Sequence, residues 1–269
     1  MKDTVLLDKH TYCIEDQRLF AELSGDYNPM HIDPVIARRE KFGEIVVHGI
    51  YSLTKCLNDF AHYKRNNGVV SIDLDSLSGR FPNPVFLNKE VLSYLIKDDP
   101  LKTVIGVFDG KMLLTELSFS WSEKDIDNDE GLTDSIISKV EIKDEAMEQM
   151  FDYNGSYSLA LHKKLMHDLF PSLNSIISQD LIATLFSLTR IVGMDCPGQQ
   201  SIFSSFKLNK QINDNQEPAR ISYETLKVIP KYHKIDILVK TNKYLGKLNT
   251  FYRPKPIIQQ KMEEIKTYI

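Results

Sequence analysis

The feature that most restricts the fold of this chain is an apolar stripe between His48 and Tyr63 that runs straight into four strand-like segments. Ile50, Leu53, Leu57, Phe60 and Ala61 recur at helical spacing, so the stretch predicts a long, largely buried helix with Gly49 at its start. The runs Val69–Leu77, Asn88–Ile96, Thr103–Phe108 and Lys111–Ser120 follow. Between the last two, Asp109-Gly110 is the strongest hairpin signal in the chain. A helix apolar enough to be buried, followed by consecutive antiparallel strands, is satisfied when the sheet wraps around the helix. Upstream, a short strand near Val5–Leu7 and a short helix over Glu15–Leu23 lead in.

The second half repeats the first. ATLFSLTR at Ala183–Arg190 sits over HGIYSLTK at His48–Lys55, an offset of 135 residues, and GSYSLAL at Gly155–Leu161 sits over GDYNPMH at Gly25–His31, an offset of 130. A second long helix is expected over Leu181–Met194, with strand-like runs after it at Gln200–Leu208, Ala219–Ile229, Ile235–Asn242 and Leu248–Tyr252. Between the halves, EKDIDNDEG at 123–131 carries five acids and almost nothing apolar, the composition of an exposed linker. The expected organisation is therefore one domain over 1–122, an acidic linker over 123–147 and a second domain over 148–269. In this alignment Ser156, Leu161 and Ala183 stand where Asp26, His31 and His48 stand, so the second copy is expected to keep the fold and lack the proton-transfer groups.

Those groups belong to Leu23–Asp33, LSGDYNPMHID. Gly25-Asp26 and Asn28-Pro29 are turn signals, so the stretch reads as a bent loop rather than a helix or an unbroken strand. A loop kinked at Pro29 can turn both Asp26 and His31 inward, where an acid and an imidazole can flank a water and move protons in both directions. The same pair can instead do no more than hold a surface turn together. Asp33 is a good N-cap and Pro34 suits the first helical position, which predicts a short helix from Pro34 to about Lys41.

SGDYNPMHID, then Phe42, then VVHG ending at Gly49, resembles the signature of the MaoC-like dehydratases, also called (R)-specific enoyl-CoA hydratases or hydratase 2. PVFLNKEV at Pro84–Val91 resembles the strand start that follows the central helix in that family, and the likeness covers residues 10–122. It implies the hot dog fold, so that with the repeat the fold class expected is α+β, a double hot dog. It also implies reversible syn addition of water to a trans-2-enoyl thioester, giving an (R)-3-hydroxyacyl thioester. Asp26 and His31 match the family's catalytic pair, and Gly49 opens the helix whose free N–H groups can steady a thioester oxyanion. Asn28 is expected to fix the loop. His48 has two open uses, orienting the pair or packing at the domain seam, and Ser71 resembles a family serine near the strand after the central helix.

The resemblance implies no cofactor. The expected partner is an acyl-CoA or an acyl group on a carrier protein, with the two domains forming a pseudo-dimer within the chain and a homodimer also open. A hot dog protein turned to thioester hydrolysis or plain acyl binding is the competing reading. His31, Asp33 and His48 include an H-x-D pair that suits a metal, but Asp33 is better used as a helix cap. His162 and His167 lack the glutamate of HExxH, and Ser52 and Ser187 lack a G-x-S-x-G context. At 269 residues, with 42% apolar and 26% charged residues and a net charge of −4 of mixed sign, the composition offers nothing that would draw nucleic acid. Cys13, Cys56 and Cys196 are far apart and in no metal-like spacing, and no apolar run approaches the length of a membrane span, so a cytoplasmic protein with reduced thiols is expected.

Overall fold

In the computed structural model the described residues are 4–124, 132–135, 137, 139–173, 176–211 and 219–253. Ten strands form one antiparallel sheet: β1 (Val5–Thr11), β2 (Ile72–Arg80), β3 (Glu90–Lys97), β4 (Thr103–Asp109), β5 (Met112–Glu123), β6 (Asn154–Ser158), β7 (Ser201–Lys210), β8 (Arg220–Ile229), β9 (Lys234–Thr241) and β10 (Tyr244–Tyr252). Their spatial order is β1-β3-β4-β5-β2-β7-β10-β9-β8-β6. Read outward from the centre, the two halves follow the same order, and they meet where β2 pairs with β7 from Ser76↔Asn209 to Arg80↔Ser205. This is a hot dog arrangement of sheet and buried helices.

The predicted long helix is α4, Gly49–Asn66, preceded by α1 (Ile14–Ser24), α2 (Pro29–Ile32) and α3 (Pro34–Ala37). Its face of Ile50, Leu53, Leu57, Phe60 and Ala61 is buried, as the periodicity requires, and it lies against β1, β3, β4 and β5. In the second half about two turns of helix, α5 (Lys163–Leu169), precede α6 (Gln179–Arg190). All of α6 except Gln179 and Arg190 is buried, and it packs against both α1 and α4 of the first half. The two halves share one core. Phe20 stacks on Tyr51 with centroids 4.8 Å apart and meets Phe186 edge-on at 5.5 Å, and Phe170 closes the cluster against Tyr51 at 5.7 Å. Rings of this kind contribute about 1 kcal/mol per pair beyond their burial.

The alignment between halves needs correction. Gly155 and Ser156 lie on β6, the edge strand that occupies the place of β1, and not on a loop matching Gly25–His31. Ser156 pairs with Ser222 and its hydroxyl accepts from Arg220 at 2.6 Å. The helices start at Gly49 and Gln179, a separation of 130 residues, so the offset of 135 places Ala183 inside α6 although His48 stands before α4. From α1 to α4 the chain spends residues 25–48; from α5 to α6 it spends only 170–178. The segment between α5 and α6 is therefore too short to hold a counterpart of the stretch that carries Asp26 and His31.

Residues 125–131 of the expected acidic linker lie outside the described residues. Among the described residues beyond them, Leu132 and Ile137 are buried, and Lys143 N–H donates to the Met194 carbonyl at 2.9 Å.

Candidate active site

The stretch from Leu23 to Asp33 is built by three caps in succession. Gly25 ends α1 in the left-handed region at φ 75°, its N–H donating to the Ala21 carbonyl at 2.8 Å, and this turn throws Asp26 inward. Asn28 then caps a turn of helix that the sequence reading did not anticipate, its Oδ1 accepting from Met30 N–H at 3.2 Å. Pro29 suits the first position of α2, which presents His31. Asp33 caps α3 as expected, accepting from Val35 and Ile36 N–H at 2.8 and 3.1 Å, though α3 stops at Ala37 rather than Lys41.

Asp26 is buried. Its Oδ1 accepts the Asn28 N–H at 3.1 Å and its Oδ2 accepts the Thr189 hydroxyl at 2.6 Å. Burial raises its pKa to about 6, against the pull of the Thr189 and Asn28 hydrogen bonds, which favour the charged form. His31 is tied by Nδ1 to the Val46 carbonyl at 2.6 Å. A carbonyl only accepts, so Nδ1 carries the proton and Nε2 keeps a free lone pair. Burial lowers the His31 pKa to about 4, helped by the positive charge of Arg253 and opposed by the Val46 bond. Near neutral pH the pair is a carboxylate and a neutral imidazole.

His48 is wholly buried behind His31 and stacks on it. Its Nδ1 lies 2.8 Å from Gln17 Oε1 and its Nε2 lies 3.1 Å from the Asp26 carbonyl. Gln17 Oε1 also accepts the His48 backbone N–H at 3.1 Å, which fixes that atom as the oxygen. Burial, with His31 alongside, pushes the His48 pKa well below its ordinary value. His48 thus packs beneath His31 with the Asp26 backbone carbonyl at one edge of its ring.

Asp26, His31 and Gly49 line one cavity of about 320 Å³. Gly49 heads α4, where the first-turn N–H groups have no partner within the helix and His48 supplies no side-chain cap. A Cβ at Gly49 would lie 2.9 Å from the Phe81 ring. The rest of the wall is mostly apolar and comes from both halves: Val47, Phe81 and Val85 from the first, Val192, Ile202 and Phe203 from the second. Pro84 and Val85, from the run Pro84–Val91, belong to the wall, while β3 itself begins at Glu90.

Besides His48, two further sequence candidates fall outside this cavity. Asn28 fixes the loop across the seam, its Nδ2 donating to the Gly193 carbonyl at 3.2 Å. Ser71 is remote: it sits one residue before β2 and its hydroxyl donates to the Lys124 carbonyl. Local resemblance placed it near the site, but the strand that follows α4 starts at the far end of the sheet. Thr189 and Gly193 went unread. The repeat paired Thr189 only with Thr54, and no short-range pattern shows a contact across 163 residues.

Asp26, His31 and His48 bring ligand atoms within 4.8 Å of one another, close enough to ask about a metal. His48 is wholly buried, has both ring nitrogens against oxygen atoms and takes no part in the cavity wall, so it is not placed to share an ion with Asp26 and His31. The set is a poor fit to a metal centre, for which free lone pairs must converge.

With this geometry in view, the likeness to known proteins is specific. Residues 2–104 match the family model of the MaoC like domain. The chain is 34% identical over 89 residues to the mitochondrial 3-hydroxyacyl-[acyl-carrier-protein] dehydratase of Arabidopsis thaliana, covering 33% of this chain and 50% of that one. It is 39% identical over 75 residues to the peroxisomal hydratase-dehydrogenase-epimerase of Saccharomyces cerevisiae, covering 27% of this chain and 7% of that one. The chain thus matches half or less of the length of these curated relatives. A solved structure named MaoC-like dehydratase superposes with a TM-score of 0.58 at 13% identity, covering 93% of this chain and 97% of its own. The N-terminal part of the chain is a MaoC-like domain, and the fold as a whole is that of a MaoC-like dehydratase structure. No described helix is long and apolar enough to cross a membrane.

Proposed function

We propose that the chain is a hydro-lyase that adds water reversibly across the C2–C3 bond of a 2-enoyl thioester on coenzyme A or an acyl carrier protein. One observation carries this reading: a buried carboxylate, Asp26, and a neutral imidazole with a free Nε2, His31, open on the same apolar cavity beside the N-terminus of α4 at Gly49. The names of the Arabidopsis and yeast relatives support the substrate class.

Water bound between Asp26 and His31 gives its oxygen to C3, while one of its protons passes through the pair to C2. The pair ends each turnover in the state in which it began, carboxylate and neutral imidazole. Charge that builds on the thioester oxygen is met by the N–H groups at the head of α4, the kind of donor whose removal costs about 3 kcal/mol in transition-state stabilisation. Because both groups meet the alkene from one side, addition is syn; the (R) configuration at C3 is what the MaoC-like resemblance implies. The halves of the sheet are read as two hot dog domains forming a pseudo-dimer, with one active site per chain.

The test is a panel of enoyl-CoAs of different chain length, with the product resolved by chirality. Asp26→Asn and His31→Ala should each lose at least a hundredfold in turnover while folding normally. A non-hydrolysable acyl-CoA analogue should saturate at one equivalent per chain. Turnover near the wild-type level in either variant, or two equivalent sites, would overturn the assignment.

A further inference from the structure

The loop that carries Asp26 and His31 comes from the first half of the chain, yet the carboxylate of Asp26 is held from the second. Thr189 lies in the last turn of α6, buried, and its hydroxyl donates to Asp26 Oδ2 at 2.6 Å. Four residues on, Gly193 is the surface on which the carboxylate rests. A Cβ there would lie 2.2 Å from Oδ1 and 2.6 Å from Oδ2. The segment Ile191–Asp195 is a turn of π-helix continuing α6, and such widened turns carry the backbone away from the straight helical path. The Gly193 carbonyl then receives the Asn28 side chain at 3.2 Å, so one residue both clears space for Asp26 and anchors its loop.

We propose that Thr189 and Gly193 are positioning residues that orient the Asp26 carboxylate from the second half, so that the site is incomplete in the first half alone. The proposal rests on the hydro-lyase reading for its kinetic consequence but not for its structural content. The Thr189 hydroxyl has a choice of acceptors, since a helical threonine ordinarily turns its hydroxyl back to the carbonyl four residues earlier. Thr184, on the same helix, does this to Asp180 at 2.7 Å, and Ser187 does it to Ala183 at 2.9 Å. Thr189 instead points out of its helix into the cavity and spends its proton on the carboxylate. A charge-assisted bond of this kind fixes which oxygen faces the substrate and stabilises the ionised form.

The other charged or titratable groups around the carboxylate are few. His48 Nε2 lies 3.9 Å from Asp26 Oδ2, His31 has a ligand atom within 4.8 Å, and Arg190 on α6 runs alongside Gly25. A change in Asp26 titration on altering Thr189 therefore has to be compared with these groups left intact.

The experiment reads the protonation of the Asp26 carboxyl directly, by infrared difference titration against Asp26→Asn, alongside the pH profile of turnover. Thr189→Val keeps the volume and removes the donor. It should raise the Asp26 midpoint by about one unit and cut turnover at least tenfold, and Thr189→Ser should restore both. Gly193→Ala should lower kcat through displacement of the carboxylate while leaving KM within a factor of about three. If Thr189→Val does not fold, Thr189→Ala reads the same titration. An Asp26 midpoint unchanged in either variant would overturn the proposal whatever happens to activity. If the wild type hydrates no thioester but the midpoint still moves, the hydro-lyase reading falls and the positioning role stands.

Discussion

The imidazole rings of His31 and His48 lie stacked, with centroids 3.9 Å apart and planes 28° from parallel. The inner ring is the floor on which the outer one rests, and as a neutral imidazole it can donate to only one of the two oxygens at its edges, Gln17 Oε1 and the Asp26 carbonyl. His48→Ala should therefore damage the site twice, by opening a cavity under His31 and by removing the ring beside the Asp26 carbonyl, although the backbone N–H of residue 48 still serves Gln17 Oε1. The expected loss of stability is about 3 kcal/mol, with a fall in kcat of at least tenfold. Chemical denaturation and steady-state kinetics check both. A variant with native stability and turnover would show that the stack is incidental.

Asp26 should act against the stability of the fold at neutral pH. Its folded pKa of about 6 lies above the ordinary 3.8, so the folded state holds the proton more tightly than the unfolded one. The stability this lends is fully present below about pH 3.8 and is lost as pH rises through about 6. At pH 7 the cost is on the order of 3 kcal/mol at most. Asp26→Asn, inactive by the argument above, should thus melt at a higher temperature than wild type at pH 7, and the gain should vanish by about pH 4. Lower stability of the variant at pH 7 would contradict the buried-carboxylate account. Sites kept for function commonly carry such a cost.

Turnover should follow the same ionisation. The active form has Asp26 charged and His31 neutral, so kcat/KM should rise with pH through a midpoint of about 6. His31, already neutral above about 4, should add no second limb in that window. Hydration consumes no net proton, so the dehydration direction must show the same midpoint. Profiles measured in both directions that differ, or a limb falling between pH 6 and 8, would exclude this protonation state.

Gly49 has no room for a side chain, because the Phe81 ring lies where a Cβ would go, at 2.9 to 3.0 Å. Gly49→Val should displace Phe81 into the cavity and deny the thioester its approach to the backbone N–H. Activity should fall at least a hundredfold, while the melting temperature changes little, since α4 is held by its buried face further along. Full activity in this variant would move the oxyanion site elsewhere.

Much of this was legible from short-range chemistry. The Asp109-Gly110 turn joins β4 and β5 as expected, with Gly110 at φ 57°. The apolar stripe of α4 and the turn residues around Asp26 also read true, because each is decided within a few neighbours. His31 was assigned to a loop where it sits on a turn of helix, since Asn28 and Pro29 act as a cap and a first helical residue as well as a turn. The pairing of Gly155–Leu161 with the catalytic stretch failed for a different reason. A small-polar-aromatic pattern suits an edge strand as well as a turn, and only the pairing of β6 with β8 separates them. Thr189, Gly193 and Phe203 were invisible because their partners come from the opposite half of the sheet, and distance along the chain leaves no local trace.

The covalent join at the seam has a bearing on what each half is free to become. Where two identical subunits build such a sheet, one gene writes both faces of every pocket, and a change that helps a face as cradle must also be tolerated where that face carries the loop. Here β2 meets β7 within one chain, and residues 170–178 replace the longer segment that carries Asp26. Gly193 can be kept empty for one carboxylate without emptying a matching position beneath α4. Specialisation of this pocket is therefore open to single substitutions that a symmetric assembly would have to accept twice.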